Sequence, residues 1–231
     1  MTERDLKVAV VTGGHAFDAQ GFHQLFRGFR GIDAYIQNMD EFAAVPASVG
    51  LTEGNDFHPE KARRSYDVVI FYSMLLGAPS NEDIPWYCGA PRTALDELGK
   101  SKQGIFVLHH ALLHYPDSAE WSRIVGIDDR TLHAWHFGQQ LEVEIANTRH
   151  PIMEGLDNFA CVDETYMMAE PGEDSDILLT VEHPKSMNRI AWTREYGDSR
   201  VFCLQLGHDK RVWTNPAFQA LIERGIRWCA A

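Results

Sequence analysis

The sequence predicts one α/β domain built on a mainly parallel central sheet. Three continuous apolar runs carry that reading: Val8–Val11, Val68–Tyr72 and Ile105–Leu108. Each lacks the polar alternation of a half-exposed strand and so suits a strand buried on both faces. Helical patterns and turn residues separate the runs, as β–α–β units require. The 231 residues are enough for one full core. No stretch rich in Pro, Gly or Ser divides the chain, so the expectation is a single domain over 1–231.

The elements follow in order. Val8–Val11 is β-branched and small, a first buried strand. Gly13 and Gly14 permit a tight turn after it, with His15 at the exit. These glycines match neither a dinucleotide fingerprint nor a Walker loop, so support for a phosphate cradle is weak. Phe22, Leu25, Phe26 and Phe29 recur at helical spacing, a stripe better suited to core than to a binding surface. Ile32–Gln37 is a second strand, and the polar stretch 40–61 reads as a loop holding one short helix. The prolines between Pro79 and Pro91 mark a long loop after the strand Val68–Tyr72. Trp86 and Tyr87 in that loop either line a pocket or pack over its base. Arg92–Gly99 is a short helix closed by its glycine.

Ile105–Leu108 is the run around which the chain is organised, and it ends at His109 and His110. A buried helix segment would look similar over four residues; the turn-like Lys100–Gly104 before it favours a strand. In open α/β sheets ligands bind at the carboxyl edge of the strands. A nucleophile elbow would stand at this same point, yet neither residue is Ser or Cys. Ser118–Val125 is the next helix. His133 and His136 stand three apart and would share a face if their segment is helical, a spacing able to bind metal. A pair of surface histidines in a loop is the commoner outcome. Leu141–Ile145 alternates apolar and acidic residues, the mark of a strand with one wet face. Val162–Met168 reads as a strand that puts Glu164 and Tyr166 on one face. Ile177–Val181, Ile190–Thr193 and Val201–Leu206 are further strands, the last ending at Gly207-His208-Asp209. Asn215-Pro216 opens a closing helix that buries Phe218, Leu221, Ile222 and Gly225.

Composition narrows the partners. Lys plus Arg is 21 and Asp plus Glu is 33, a formal charge of −12. That balance argues against a nucleic-acid partner or an anionic membrane surface. Cys88, Cys161, Cys203 and Cys229 are widely spaced without a CxxC pair, which disfavours a disulfide framework or a cysteine zinc site. No run is long enough to cross a bilayer and no signal-peptide core opens the chain, so the expected setting is cytoplasmic.

The segments VAVVTGGHAF, FVLHHA, HPIMEGLDNF, VDETYMM and AWTREYGDSRVFCLQLGHDKRVWTNPAFQALIERGIRW span nearly the whole chain. Together they resemble the trehalose-utilization (ThuA-like) family. The resemblance implies a flavodoxin-like, three-layer fold related to class I glutamine amidotransferases. It carries the family's pattern onto His109, Glu164 and His208 as catalytic residues, with His15 at a less constant polar position. The family's histidine after the elbow helix falls on His136, with His133 as the alternative. His109 is followed by His110 where the family has a small residue, often Ser, which leaves open which ring faces the pocket. The amidotransferase relationship stops at the fold, because no cysteine stands at the elbow.

His15, His109 and His208 each follow an apolar strand, so a doubly wound sheet brings them to one edge. With Glu164 they suit either a divalent metal such as zinc, held by His109, Glu164 and His208, or metal-free acid–base chemistry. The resemblance implies a small-molecule carbohydrate as partner, a keto-sugar or trehalose-type glycoside, cleaved by a hydrolase or lyase step. His15, His110, His136, Tyr166 and Trp213 are the expected substrate contacts. Trp86, Trp135 and Trp213 suit ring stacking or core packing alike. The alternative from a different class is a non-catalytic sugar-binding or sensing module; homo-oligomerisation is compatible with both.

Overall fold

The structure is a computed structural model describing residues 4–43, 63–79 and 90–231. In chain order it contains β1 (Leu6–Gly13), α1 (Ala19–Arg27), β2 (Ile32–Asn38), α2 (Met39–Phe42), β3 (Val68–Ser73), α3 (Pro91–Asp96) and β4 (Gly104–Leu108). A 3₁₀ turn (His109–Leu113), α4 (Ala119–Val125), β5 (Ala134–Ile145), a second 3₁₀ turn (Pro151–Met153), β6 (Phe159–Met167) and β7 (Asp176–Val181) follow. The chain closes with β8 (Arg189–Tyr196), β9 (Ser199–Leu204), α5 (Lys210–Trp213) and α6 (Pro216–Cys229). Trp86, Tyr87, Cys88 and most of the stretch 40–61 lie outside the described residues.

The nine strands among the described residues form one sheet in the order β2-β1-β3-β4-β9-β8-β7-β5-β6. The first five run parallel, and β4 lies inside, between β3 and β9. From β9 onward every pairing is antiparallel. The expectation of a mainly parallel sheet is therefore corrected: the sheet is mixed, half of its pairings antiparallel. A short connection fixes the point of reversal. Gly197 and Asp198 alone link β8 to β9, and a two-residue loop can only join antiparallel neighbours.

Helices cover both faces. In α6, a Cβ at Gly225 would stand 2.5 Å from the Phe202 ring, so only glycine lets the helix seat there. Cys203, the next residue on β9 and hence on the other face, lies with its Sγ 3.8 Å from the carbonyl oxygen of Val125 in α4. The inner strands β3 and β4 are buried at every residue, as their apolar runs require. Asn215 caps its helix as the sequence signals, accepting the Ala217 N–H ahead of Pro216, and Ser118 caps α4 by accepting the Trp121 N–H.

The segment 129–137 is not helical. Ala134 onward is strand β5, paired along β6 from Ala134–Met167 to Val143–Phe159. A partner strand overrides the weak helical spacing of His133 and His136. Among the described residues no helix is long and apolar enough to cross a membrane.

Candidate functional site

The site begins where β4 ends. His109 enters the 3₁₀ turn with φ of 56°, a left-handed conformation uncommon outside glycine. This rotation sends its ring into the fully buried interior, where Nδ1–H donates to the Gln205 carbonyl at 2.6 Å. That bond assigns the proton to Nδ1 and leaves a lone pair on Nε2. Nε2 accepts from the Tyr166 hydroxyl at 2.9 Å and lies 3.2 Å from His208 Nδ1.

β6 delivers the acidic residues. The buried Asp163 carboxylate accepts the N–H groups of Gly207 (2.6 Å), His208 (3.0 Å) and Glu164 (2.9 Å), tying β6 to the loop after β9. Gly207 holds φ of 140°, and a Cβ there would stand 3.1 Å from His109 Cβ. Glycine is needed both for that backbone and for the close approach. Glu164 Oε2 lies 3.0 Å from His208 Nδ1, but off the line of a good hydrogen bond, so this buried oxygen keeps room for a further donor or a cation.

These surroundings push the two histidines apart. Burial holds the His109 ring well below the ordinary histidine range, aided by the like charges of His110, His208 and His15. The Glu164 carboxylate raises His208. Burial lifts Asp163 to about 7 against the opposing pull of its three N–H donors. A neutral, buried imidazole thus stands beside one that charges readily, the separation typical of an acid–base site.

The structure brings His109, Glu164 and His208 together, with one donor atom from each within 4.8 Å of the others. Tyr166 joins them through its hydroxyl. Of the doubled histidines, His109 faces Glu164. His110 turns aside, donating from Nε2 to the Tyr72 carbonyl at 3.3 Å, with its ring 4.6 Å from that of His15. His15 is half-buried, its ring 5.9 Å from His208. Trp213 is 3% exposed; its indole N–H donates to the Gly207 carbonyl at 2.7 Å and its ring packs on Phe22. It props the loop from the core instead of presenting a face to a sugar. His136 pairs across from Thr165, on the strand face opposite to Glu164. Phe137 occupies the near side, its ring 5.3 Å from that of His208.

Sequence reasoning missed Asp163, Gln205, Phe137 and Arg130. Asp163 had one available signal, a second carboxylate on an apolar strand beside Glu164. Arg130 had none. Its guanidinium is buried and donates to the carbonyls of Leu112, His114, Tyr115, Pro116 and Ser118, bracing the chain that leaves the His109 turn.

Solvent reaches the cluster on the side of His208, whose side chain is 16% exposed. A groove of about 740 Å³ runs between α1 and the stretch from Lys210 to Glu223, and contains none of the three donors. Convergent, mutually perturbed polar groups identify the site better than volume does. The donor set is also a plausible cation shell in chemistry, two imidazole nitrogens and a carboxylate oxygen with one oxygen unpartnered.

A sequence profile of the ThuA family, described as trehalose utilisation, matches residues 8–229. No curated protein sequence matches. Among solved structures, a ThuA-like protein from Parabacteroides merdae superposes with a TM-score of 0.68 at 19% identity, covering 99% of this chain and 91% of that one. A cytoplasmic protein from Salmonella typhimurium gives 0.63 at 13% identity, covering 97% and 99%. A glutamine amidotransferase from Thermotoga maritima gives 0.51 at 11% identity, covering 99% of both. At such identities the structural likenesses establish the fold.

Proposed function

The chain belongs to the ThuA trehalose-utilisation family, and from that premise we propose that His208 performs proton transfer on an oxidised glycoside, positioned by Glu164 and His109. The observation that carries this reading is the Glu164 carboxylate beside His208, its Oε2 3.0 Å from Nδ1 of a partly exposed ring. The carboxylate's charge favours a proton on Nδ1, which leaves Nε2 of the neutral ring as the base. The carboxylate strengthens that base by stabilising its charged form.

A ketone at carbon 3 of a glycoside acidifies the C2–H bond. His208 Nε2 takes that proton, and the C–H electron pair becomes the enolate. The enolate then expels the glycosidic oxygen from C1, which takes the proton back from His208. Water adds to the unsaturated ketone and completes a net hydrolysis. A positioned base of this kind contributes about 10²–10⁴-fold. A divalent cation held by His109 Nε2, Glu164 Oε2 and His208 Nδ1 would instead polarise the ketone oxygen; His208 would then carry its proton on Nε2 and act as a ligand, not as the base. With such an ion bound, the chain's part is to supply the three donors, with Nδ1–H of His109 still committed to Gln205.

The test is release of free sugars from 3-keto-trehalose and related 3-keto-glycosides, with and without a chelator. His208→Gln should abolish turnover. Glu164→Gln should lower the rate and move the acid limb of the pH profile to lower pH, since the group raising His208 is gone. Sugar bound tightly but never turned over by the wild-type protein would leave a sensing module as the function.

A further inference from the structure

Two large aromatic side chains stand in solvent beside this site. Trp135 is 54% exposed and Phe137 58% exposed, on a strand whose intervening residues are half-buried. Trp135 pairs directly across from Tyr166, and residues directly opposite in an antiparallel pair share a face. Glu164 lies two residues along β6 from Tyr166 and so points to that face as well. Phe137 follows Trp135 by two residues, and its ring, tilted 60°, sits 5.3 Å from His208. A bulge at His136–Gln139, with Gly138 at φ of 62°, bends the strand here; bulges commonly re-aim a side chain beside a functional site.

We propose that Trp135 and Phe137 form a stacking platform for the second sugar ring of a disaccharide-sized glycoside. This rests on His208 being the centre that handles the first ring. Residues two apart on a strand span about 7 Å, comparable with one hexose unit. The apolar C–H face of a pyranose covers an aromatic ring while its hydroxyls remain in water, which explains why these rings are left uncovered on a strand beside polar donors. Phe137, touching His208, marks the junction between the two rings. Trp135, one step further from the donors, meets only the leaving sugar. The platform therefore selects for a substrate with a sugar, not a small alkyl group, as the leaving unit.

The experiment compares Trp135→Ala and Phe137→Ala with the wild-type chain on a 3-keto-disaccharide and on a 3-keto methyl glycoside. Each variant should raise KM for the disaccharide about tenfold, the loss expected for one ring contact near 1.4 kcal/mol. Trp135→Ala should leave the methyl glycoside unchanged. In parallel, unoxidised trehalose is titrated into Glu164→Gln protein while tryptophan fluorescence is followed, with the Trp135→Ala background subtracted. A saturable signal that disappears with Trp135 supports the platform even where no substrate is turned over, an outcome that removes only the chemistry proposed for His208. Turnover with unchanged KM in both variants overturns the platform and leaves that chemistry standing. Neither binding nor turnover in the wild-type chain overturns both. Light scattering supplies the last arm: variants that convert a dimer to monomer without altering sugar binding would show that the rings cover a second copy, and would sink the proposal.

Discussion

Acidifying the metal-free protein from pH 7 to pH 5 should lower its unfolding free energy by roughly 3 kcal/mol. Three buried histidines set the direction. His109, His110 and His114 are almost wholly excluded from solvent. Burial is the first cause holding each down: His109 and His114 well below the ordinary range, His110 to about 3. The next causes are like charges, from His110 on His109, His15 on His110 and Arg130 on His114. In the unfolded chain each takes up a proton near pH 6.5. Below that point the unfolded state binds more protons than the native one, so stability falls as pH falls. At about 1.4 kcal/mol per pH unit, each ring that stays neutral in the native state contributes a loss of about 2 kcal/mol across the interval, close to 6 kcal/mol for three. Asp163 opposes them. Raised to about 7 by burial, it gains its native proton over the same interval while the unfolded carboxyl stays ionised, restoring about 2 kcal/mol. His208, raised by Glu164, acts in the same stabilising direction on acidification. The net loss is a large share of the ~5–15 kcal/mol typical of a folded protein. The assay is the urea midpoint at pH 7, 6 and 5 after chelator treatment, for the wild-type chain and for His114→Asn. The asparagine oxygen can replace Nδ1 as acceptor for the Leu75 N–H, so the fold is kept while one titrating ring is removed. The variant should lose only about 1–2 kcal/mol over the interval. A midpoint independent of pH, or an unchanged loss in His114→Asn, would refute the assignment of these rings as buried and neutral.

Two further outcomes are expected. Arg130→Met strands five backbone carbonyls around the turn that follows His109, a loss of about 3–5 kcal/mol by analogy with breaking a buried charged network. At about 2–4 °C per kcal/mol for a domain of this size, calorimetry should show a drop in Tm of roughly 6–20 °C; a change under 2 °C would contradict the bracing role. Gly207→Ala forces a side chain into strained backbone within 3.1 Å of His109 Cβ, at a cost of about 1–3 kcal/mol in strain. Its turnover should fall more than its stability, read as kcat alongside the urea midpoint, because the shifted atom belongs to the site.

The sequence by itself determined the inner sheet. Val68–Phe71 and Ile105–Leu108 have no polar side chain to leave in water, so only strands covered on both faces accommodate them. It determined the cap at Asn215, where a short polar side chain meets the first free N–H groups ahead of Pro216. It also placed His109 and His208 on one edge, since both follow apolar strands of a parallel pair. The antiparallel half of the sheet was legible only in part. The alternation in Leu141–Ile145 signals a wet face but names no partner strand. Tertiary structure alone decided that His109 and not His110 turns toward Glu164, through a left-handed residue fixed by a carbonyl 96 positions away. It alone exchanged His136 for Phe137 at the site, because side chains alternate with every residue and pairing register selects the face. It alone set the charges: an imidazole has one intrinsic proton affinity in any sequence, and burial for His109 or a carboxylate 3.0 Å from His208 moves that affinity in opposite directions.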